Sequence, residues 1–440
     1  MKIHFIGIGG IGVSALARYY LENGHEVSGS DLVSSEITDA LKKSGAKTFI
    51  GKHKAENIPK NVDLVIYSPA VPKTNPELKN ALKIKNLKLK IKILSYPQAL
   101  GELTKKYFTI AISGTHGKST ATAMVALILI KAGFDPTVIV GTKVKEFKNS
   151  NCRVGKSQYL VIEADEHFAS FLNYWPKIIV LTNIERDHLD FYKNLKNILK
   201  AFKKFISHLP KDGILIANKD DKNTQKIIKN CGVRVSVYSL GQGEAKKLRK
   251  ILKIPGEHNV ANALAALAVA RALKIPDKIS FKVLSEYRGS WRRFEITKTL
   301  HPKPYTLISD YAHHPTQIKA TLQTAREQFP NSKIWVVFQP HQYQRTYYLF
   351  NDFVKVFKKA PVDKIIVTDI FDVAGREEKE IKKKVSSEKL VKAINQKETI
   401  YISSIEKTAN YLKKNLRGRE VIIVMGAGNI YKLVGLLKVK

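Results

Sequence analysis

The chain has 440 residues, a length that predicts about two to four domains, and its 44% hydrophobic and 26% charged residues exclude a fully disordered or fibrous protein. No apolar run reaches the roughly 18 residues of a membrane helix, and Cys152 and Cys231 are too few for a disulfide framework or a four-thiolate zinc site, which favours a reducing compartment. The net charge is +37, but the lysines recur along the whole chain without an aromatic-rich recognition module, so we expect acidic small substrates and no nucleic-acid partner.

The first predicted elements are a buried strand at residues 2–6, a glycine turn, a helix from Gly12 to about Asn23, and strands at His25–Ser30 and Asp63–Ser68. The apolar beginning also resembles a secretion signal with a cleavage site at Ala15-Leu16-Ala17. Because glycines interrupt this stretch at regular spacing, we expect it to fold as part of the protein.

The order of strand, glycine turn and helix starts twice more along the chain. A strand at Phe108–Ser113 precedes a helix from Ser119 to about Ala132, and a strand near Tyr305–Asp310 precedes a helix from about Pro315. Three strands continue the last block: Ile334–Phe338, Lys364–Thr368 and Val421–Met425. This alternation predicts an α/β protein with parallel sheets covered by helices, in domains at residues 1–105, 106–288 and 289–440.

The first motif is the GIGGIG sequence at residues 7–12, between the first strand and the first helix. Gly9, Gly10 and Gly12 would let the backbone approach a diphosphate, which then lies at the helix N-terminus. Asp31 ends the next strand, where a carboxylate can hold a ribose hydroxyl. The motif alone suits NAD or a UDP-linked ligand, and a tight turn without a ligand is the remaining alternative.

The second motif is the GTHGKS sequence at residues 114–119, between the strand and the helix of the second block. Its backbone N–H groups would cradle phosphates, Lys118 would neutralise the β- and γ-phosphate oxygens, and the Ser119 hydroxyl would bind Mg²⁺. The alternative is a glycine turn with an exposed lysine, which leaves the coincidence of loop, lysine and hydroxyl unexplained.

Acidic residues follow two predicted strands of the second block. The run EADE at 163–166 follows the strand Tyr159–Ile162, and the run NIERDHLD at 183–190 follows the strand Ile178–Thr182. The carboxyl ends of parallel strands line the crevice where α/β sheets bind ligands, so these side chains could hold Mg²⁺. Either run alone would also suit solvated loop charges.

Amides and cations mark the remaining candidates. His258, Asn259 and Asn262 lead an Ala/Leu-rich helix, where asparagine can pair with the edge of a base, although Asn259 suits a helix cap equally well. In the last block, Asp310-Tyr311-Ala312-His313-His314 ends one strand, the run from His341 to Arg345 ends the next, and Arg292-Arg293 opens the block. Such side chains suit carboxylate and phosphate contacts, although each histidine alone would also suit a satisfied core or surface position.

Together and in this order, the motifs resemble the Mur ligase family over nearly the whole chain. The stretches that carry the resemblance are GIGGIG at 7–12, GTHGKS at 114–119, EADE at 163–166, TNIERDHLD at 182–190, PGEHNVANALAALAVA at 255–270, RRFE at 292–295, DYAHHPT at 310–316, VFQPHQYQRT at 337–346 and MGAGNI at 425–430.

The resemblance implies a Rossmann-like N-terminal domain for the UDP moiety, a P-loop-type central ATPase domain and a Rossmann-like C-terminal domain. It also implies a cytoplasmic ATP- and Mg²⁺-dependent acid–amino-acid ligase, without membrane insertion, that joins L-alanine to UDP-N-acetylmuramate through an acyl phosphate in peptidoglycan precursor synthesis. One alternative is a recycling ligase of the same family, which joins a free peptide to the same UDP-sugar. The alternative from another class is a nicotinamide-dependent dehydrogenase, which leaves the motifs at 114–119 and 163–166 unexplained.

The resemblance also implies residue roles in five groups. The catalytic residues would be Lys118, His188, His313, His341 and Arg345. ATP would be bound by Gly114, Thr115, His116, Gly117, Lys118, Ser119, Thr120, His258, Asn259, Asn262 and Asp310. The UDP-sugar would be bound by Gly9, Gly10, Gly12, Asp31 and Arg293, and the incoming alanine by Tyr311 and His313. The metal would be bound by Ser119, Glu163 and His188.

The chain departs from the family pattern at a few positions. Gln342 stands where an arginine is expected, and His167 and Phe168 replace the Ser-Asp pair that usually follows EADE. The stretch from Ser95 to Leu103 also lacks an expected arginine.

Overall fold

The computed structural model describes residues 1–87, 91–229, 231–298, 304–373 and 378–438. These residues form two compact units. The first unit comprises Met1–Glu185, Lys196–Ile251 and Val260–Tyr287, and the second comprises Arg186–Leu195, Leu252–Asn259 and Arg288–Lys440. Among the described helices, none combines the length and the apolar character that crossing a bilayer requires.

The first unit begins with a five-stranded parallel sheet in the order β3-β2-β1-β4-β5. Its strands are β1 (Lys2–Ile6), β2 (Glu26–Asp31), β3 (Lys47–Ile50), β4 (Leu64–Tyr67) and β5 (Lys92–Ser95). Its helices are α1 (Ile11–Glu22), α2 (Glu36–Lys43), α3 (Pro76–Leu87) and α4 (Tyr96–Thr104). The predicted strand at 2–6 and the helix after it are confirmed, and β1 lies at the centre of this sheet because its apolar residues are buried on both faces.

A seven-stranded sheet follows in the order β12-β11-β10-β6-β9-β7-β8. Its strands are β6 (Phe108–Ser113), β7 (Thr137–Val144), β8 (Ser150–Arg153), β9 (Tyr159–Ala164), β10 (Ile178–Leu181), β11 (Ile214–Asn218) and β12 (Arg234–Tyr238). The helices of this part of the chain are α5 (Lys118–Lys131), α6 (Leu189–Tyr192), α7 (Leu195–Ile206), α8 (Lys222–Ile228), α9 (Gly243–Ile251), α10 (Glu257–Ala272) and α11 (Asp277–Glu286). The edge strand β8 pairs antiparallel with β7, and the other described pairings are parallel. The parallel pairings place the ends of β6, β9 and β10 at one edge of the sheet.

The second unit contains a six-stranded sheet in the order β13-β14-β18-β15-β16-β17. Its strands are β13 (Glu295–Lys298), β14 (Thr306–Asp310), β15 (Ile334–Phe338), β16 (Lys364–Val367), β17 (Thr399–Tyr401) and β18 (Val421–Met425). Its helices are α12 (Pro315–Gln328), α13 (Tyr343–Tyr348), α14 (Phe350–Lys358), α15 (Lys379–Lys384), α16 (Ser387–Ile394), α17 (Ile405–Asn415) and α18 (Lys432–Lys438). Separate apolar clusters cover the two faces of the sheet, because alternate residues of β15 and β18 point to opposite sides.

The fold class is confirmed, since each predicted strand–turn–helix block contains one mainly parallel sheet. The domain boundaries near residues 105 and 288 stay a prediction.

Candidate active site

The turn between β6 and α5 has a backbone that requires glycine at two positions. Gly114 has a φ of 130° and Gly117 a φ of 85°, both in the region that side chains other than glycine rarely adopt. A Cβ atom at residue 114 would lie 2.1 Å from Oγ1 of Thr182, and one at residue 117 would lie 2.4 Å from Oδ1 of Asn262. The loop is therefore held tightly against its surroundings, and Asn262 contacts it directly.

Residues that follow β10 anchor the same loop. The N–H of Thr115 donates to the carbonyl of Asn183 at 2.9 Å, and the N–H of His116 donates to Oδ1 of Asn183 at 2.9 Å. The N–H of Glu185 in turn donates to the Thr115 hydroxyl at 2.9 Å. These bonds fix a loop whose preorganised backbone suits a polyphosphate.

Lys118 begins α5 and points its ammonium group back into the loop. Its Nζ donates to Oε2 of Glu166 at 2.7 Å and to the carbonyl of Gly114 at 2.7 Å, and it lies 3.6 Å from Oδ1 of Asp165. Burial opposes the charge, but the carboxylates of Glu166 and Asp165 outweigh it and raise the pKa of Lys118. Burial raises the pKa of Glu166 to about 8, against the effect of Lys118.

Ser119 and Glu163 form an oxygen-rich pair beside the lysine. The Ser119 hydroxyl donates to Oε1 of Glu163 at 3.0 Å, and the N–H of Gly141 donates to Oε2 of Glu163 at 2.8 Å. A hydroxyl and a carboxylate are ligands that Mg²⁺ accepts, so the two residues fit the predicted metal. His188, the third predicted ligand, belongs to the other compact unit, and its part in the metal site stays a prediction.

The glycine turn after β1 is closed by Asp31. The N–H of Gly9 donates to Oδ2 of Asp31 at 2.8 Å, and the N–H of Val33 lies 3.4 Å from Oδ1. Asp31 therefore shapes the turn directly, and its predicted contact with a ribose hydroxyl stays a prediction. Gly12 lies under the ring of Tyr96, since a Cβ atom at residue 12 would be 2.8 Å from the Tyr96 Cζ.

In the second unit, Arg345 is paired with a buried carboxylate. Its Nε donates to Oδ1 of Asp187 at 3.0 Å and its Nη2 to Oδ2 at 3.5 Å, while Nη1 donates to Nδ1 of His341 at 3.2 Å. Burial opposes ionisation of Asp187, but Arg345 and then His188 hold its pKa well below the usual range. The structure thus brings the predicted residues Arg345 and His341 together, and His188 lies next to them, with its Nε2 3.8 Å from Oδ2 of Asp187.

His313 and Tyr311, predicted to bind the amino acid, follow β14. Nδ1 of His313 is 2.9 Å from the carbonyl of Tyr311, so this nitrogen carries the hydrogen and Nε2 is the acceptor. Burial, and then the charge of Arg345, lower the pKa of His313 well below its usual value. The ring of His313 lies 5.9 Å from that of His341, which places both histidines in one cluster with Arg345.

Asp310 and the arginine pair before β13 lie at the same end of the sheet. Asp310 accepts hydrogen bonds from the N–H groups of Ala312 at 2.7 Å and Phe294 at 2.8 Å, and burial raises its pKa. The guanidinium carbons of Arg292 and Arg293 each lie 4.9 Å from the centre of the Tyr311 ring. Asp310 thus holds the backbone at Phe294 and Ala312, and its contact with the ATP ribose stays a prediction. The contact of Arg293 with the UDP-sugar also stays a prediction.

The start of α10 carries the residues predicted to contact adenine. The side-chain amide of Asn259 donates to the carbonyl of Pro255 at 2.6 Å, which stabilises the turn before the helix. A Cβ atom at Gly256 would lie 2.5 Å from Cε1 of His258. His258 and Asn259 belong to the second unit, as Asp310 does, whereas Asn262 belongs to the first unit.

The sequence analysis named three residues of these clusters only as members of motifs and gave them no individual role. Glu166 holds Lys118, Asp187 holds Arg345, and Arg292 is buried among the rings of Trp291, Tyr311 and Tyr431. Glu166 and Asp187 lie inside the acidic runs that the sequence highlighted, so a search for partners of the two cations could have found them. No sequence signal distinguishes Arg292 from Arg293.

Comparisons with known proteins show the family to which the chain belongs. Three family models match consecutive parts of the chain: the Mur ligase family catalytic domain at residues 2–108, the Mur ligase middle domain at 112–270, and the Mur ligase glutamate ligase domain at 292–428. The chain belongs to the Mur ligase family.

Individual relatives show which members of the family the chain is similar to. The chain is 42% identical to a UDP-N-acetylmuramate–L-alanine ligase of Clostridium tetani, covering 98% of this chain and 96% of the relative, and 40% identical to one from Acetivibrio thermocellus, covering 98% and 94%. Among solved structures, a UDP-N-acetylmuramate–alanine ligase of Thermotoga maritima matches with a TM-score of 0.81 and 29% identity over 99% of this chain and 98% of that one. A murein peptide ligase of Psychrobacter arcticus shares the fold, with a TM-score of 0.74 at 22% identity over 100% and 99%.

Proposed function

We propose that this protein joins L-alanine to UDP-N-acetylmuramate with hydrolysis of ATP to ADP and phosphate, in cytoplasmic peptidoglycan precursor synthesis. The observation that carries the proposal is the fixed loop at 114–119, in which Lys118 and Ser119 lie beside Glu163 and Glu166. The similarity to alanine ligases, at 40% to 42% identity over 98% of the chain, supports this substrate pair. It favours alanine over a free peptide, and a ligase over a nicotinamide-dependent dehydrogenase.

The reaction has two steps. The lactyl carboxylate of the UDP-sugar attacks the γ-phosphorus of ATP and ADP leaves, which gives an acyl phosphate. The amine of L-alanine then attacks the acyl carbon, phosphate leaves, and the amine loses a proton. Since two anions must meet in the first step, the protein has to supply positive charge and fixed positions.

The residues of the chain supply these requirements. The N–H groups of the loop would hold the phosphates, and Lys118 would exchange its bond with Glu166 for one with a phosphate oxygen. Mg²⁺, bound through Ser119 and Glu163, would supply further positive charge. Arg345, oriented by Asp187, would face the transferred phosphoryl group or the substrate carboxylate.

His313 has the protonation state that the second step needs. Its lowered pKa keeps the imidazole neutral near pH 7, and its Nε2 is the acceptor nitrogen. A neutral imidazole can take the proton that the ammonium group of L-alanine must lose before attack. We therefore assign His313 to proton transfer and Tyr311 to the amino-acid pocket.

The test is phosphate release with ATP, Mg²⁺ and UDP-N-acetylmuramate, with L-alanine present, omitted or replaced by a peptide beginning in alanine. We expect release that requires L-alanine, and a product heavier by one alanine residue. Release only with the peptide would identify a recycling ligase. Absence of release with either would contradict the proposed function.

A further inference from the structure

Tyr96 lies against the glycine turn that the proposed function assigns to the UDP diphosphate. It is the first residue of α4, and its ring covers Gly12 in the first turn of α1. A Cβ atom at residue 12 would lie 2.8 Å from Cζ and 2.9 Å from the hydroxyl oxygen of Tyr96. Glycine at position 12 thus makes room for the phenol, and the phenol oxygen lies beside the backbone of this turn.

The Tyr96 phenol also feels the charge of acidic residues. Burial, and then the carboxylates of Glu163 and Asp165 at the end of β9, raise the pKa of Tyr96. A phenol keeps its proton at neutral pH without any such shift, so Tyr96 can act as a hydrogen-bond donor. Among the residues that the structure describes, no acceptor receives this proton, and Tyr96 is only partly buried.

Backbone donors lie at the same place. Within the described part of the chain, the N–H groups of Ile11, Gly12 and Val13 have no hydrogen-bond acceptor, whereas the N–H of Ser14 donates to the carbonyl of Gly10 at 2.8 Å. A ligand that satisfied these groups would carry several acceptor oxygens, as a diphosphate does. The Tyr96 hydroxyl adds a side-chain donor to this set.

We propose that the Tyr96 hydroxyl donates a hydrogen bond to the diphosphate of UDP-N-acetylmuramate, next to the N–H groups that open α1. This inference rests on the proposed function. The stretch 95–103 contains no arginine that could take this role.

The test compares Tyr96→Phe with the wild type. The variant removes one oxygen and keeps the ring over Gly12. We expect the KM for UDP-N-acetylmuramate to rise about tenfold or more, as for a lost hydrogen bond to a charged group, with kcat and the KM for ATP nearly unchanged. Calorimetry with UDP alone should show the same fold-loss of affinity, because UDP carries the diphosphate.

Tyr107→Phe is the matched control. The Tyr107 hydroxyl bonds that of Tyr19 at 3.0 Å, so this variant also loses one phenol oxygen from the first unit, away from the glycine turn. It should keep the wild-type KM for the UDP-sugar and the wild-type affinity for UDP.

Three results would overturn the inference. The first is an unchanged KM for UDP-N-acetylmuramate in Tyr96→Phe, and the second is a loss of kcat alone. The third is a loss of affinity for UDP-N-acetylmuramate but not for UDP, which would place the hydroxyl on the sugar. If the wild type released no phosphate but bound UDP, the proposed function would fail, and the UDP affinities of Tyr96→Phe and Tyr107→Phe would still decide the role of Tyr96.

Discussion

Glu166 and Asp187 are both buried carboxylates that face one cation each, yet their pKa values move in opposite directions. Glu166 accepts from Lys118 at 2.7 Å, and burial raises its pKa to about 8. Asp187 accepts from Arg345 at 3.0 Å and from the N–H of His188 at 2.7 Å, and its pKa is held well below the usual range. The neighbouring charges decide the outcome. Beside its cation, Asp187 has His188, which lowers its pKa further, whereas Glu166 has the carboxylate of Asp165, which raises its pKa.

These opposite pKa shifts indicate that Lys118 can leave Glu166, whereas Arg345 stays bound to Asp187. A lysine ammonium is a compact charge on a flexible stem, and above about pH 8 Glu166 can take up a proton when Lys118 moves to a phosphate. Arg345 is fixed by Asp187 on one side and by His341 on the other. The first pair is suited to exchange with ATP, and the second is suited to hold a charge in a constant place.

The largest expected effect is on Lys118. Lys118→Ala should reduce phosphate release at least about a thousandfold, because the charge facing the transferred phosphoryl group is lost. The fold should remain, since Glu166 can be protonated in place of the ion pair. Steady-state kinetics and circular dichroism measure the two effects.

Lys131→Ala is the control for that variant. Lys131 ends the same helix and is exposed, so its removal should leave turnover unchanged. Normal turnover in Lys118→Ala would refute the assignment of the loop at 114–119 to ATP.

The next effect concerns stability at Arg345. Arg345→Ala leaves the anion of Asp187 buried without its cation, which should cost about 3–5 kcal/mol in free energy of unfolding. Adding Asp187→Asn should restore most of that loss, and denaturant unfolding of the single and double variants measures the coupling.

A surface pair of the same unit provides the contrast. Arg186 pairs with Asp352 at 2.9 Å, and since the Arg186 side chain is exposed and that of Asp352 only partly buried, Arg186→Ala should cost at most about 1 kcal/mol. Equal losses for Arg186→Ala and Arg345→Ala would show that burial of the Asp187 pair has no energetic weight.

The sequence predicted the central strands well because their apolar runs are continuous. The predicted bounds Phe108–Ser113, Ile334–Phe338 and Val421–Met425 agree with the observed strands. Edge strands such as Ser150–Arg153 were not predicted, since they have neither an apolar run nor a regular alternation and depend on pairing with a neighbour.

The candidate site was predictable where function requires a local motif, as in the loop that carries Lys118 and Ser119. The pairing of Arg345 with Asp187 joins residues 158 positions apart, and no spacing in the sequence indicates it. The contact between the Tyr96 ring and Gly12 likewise joins residues that are far apart in the sequence. What the sequence could not provide is therefore the set of partners that decides how each charge behaves.

Glu77 extends the comparison to a buried carboxylate without a lysine or arginine. Burial opposes its charge, but hydrogen bonds from His4, Ser30 and Asn57 lower its pKa to about 2. A carboxylate with a depressed pKa stabilises the fold above its unfolded value near 4.5, and that contribution is lost as pH falls towards 2. Glu77→Gln should therefore be less stable than the wild type by about 3 kcal/mol at pH 7, with a gap that closes in acid.

Unfolding midpoints measured from pH 7 down to the acid limit would test this expectation. Glu56→Gln is the control, because Glu56 is exposed in a nearby turn and its removal should leave the pH profile unchanged. A gap between Glu77→Gln and the wild type that stayed constant with pH would show that Glu77 acts through its shape and not through its charge.

The smallest expected effect returns to Glu166. When ATP takes Lys118, the carboxyl group loses its cation, so its pKa rises further and binding takes up a proton at pH values above about 8. The affinity of the wild type for ATP should thus fall as pH rises through this range, by up to about tenfold per pH unit. Glu166→Gln cannot take up that proton and should show a flatter profile in calorimetric titrations. Parallel profiles would mean that Lys118 stays with Glu166 when the nucleotide binds, and the distinction between the exchangeable and the fixed pair would be lost.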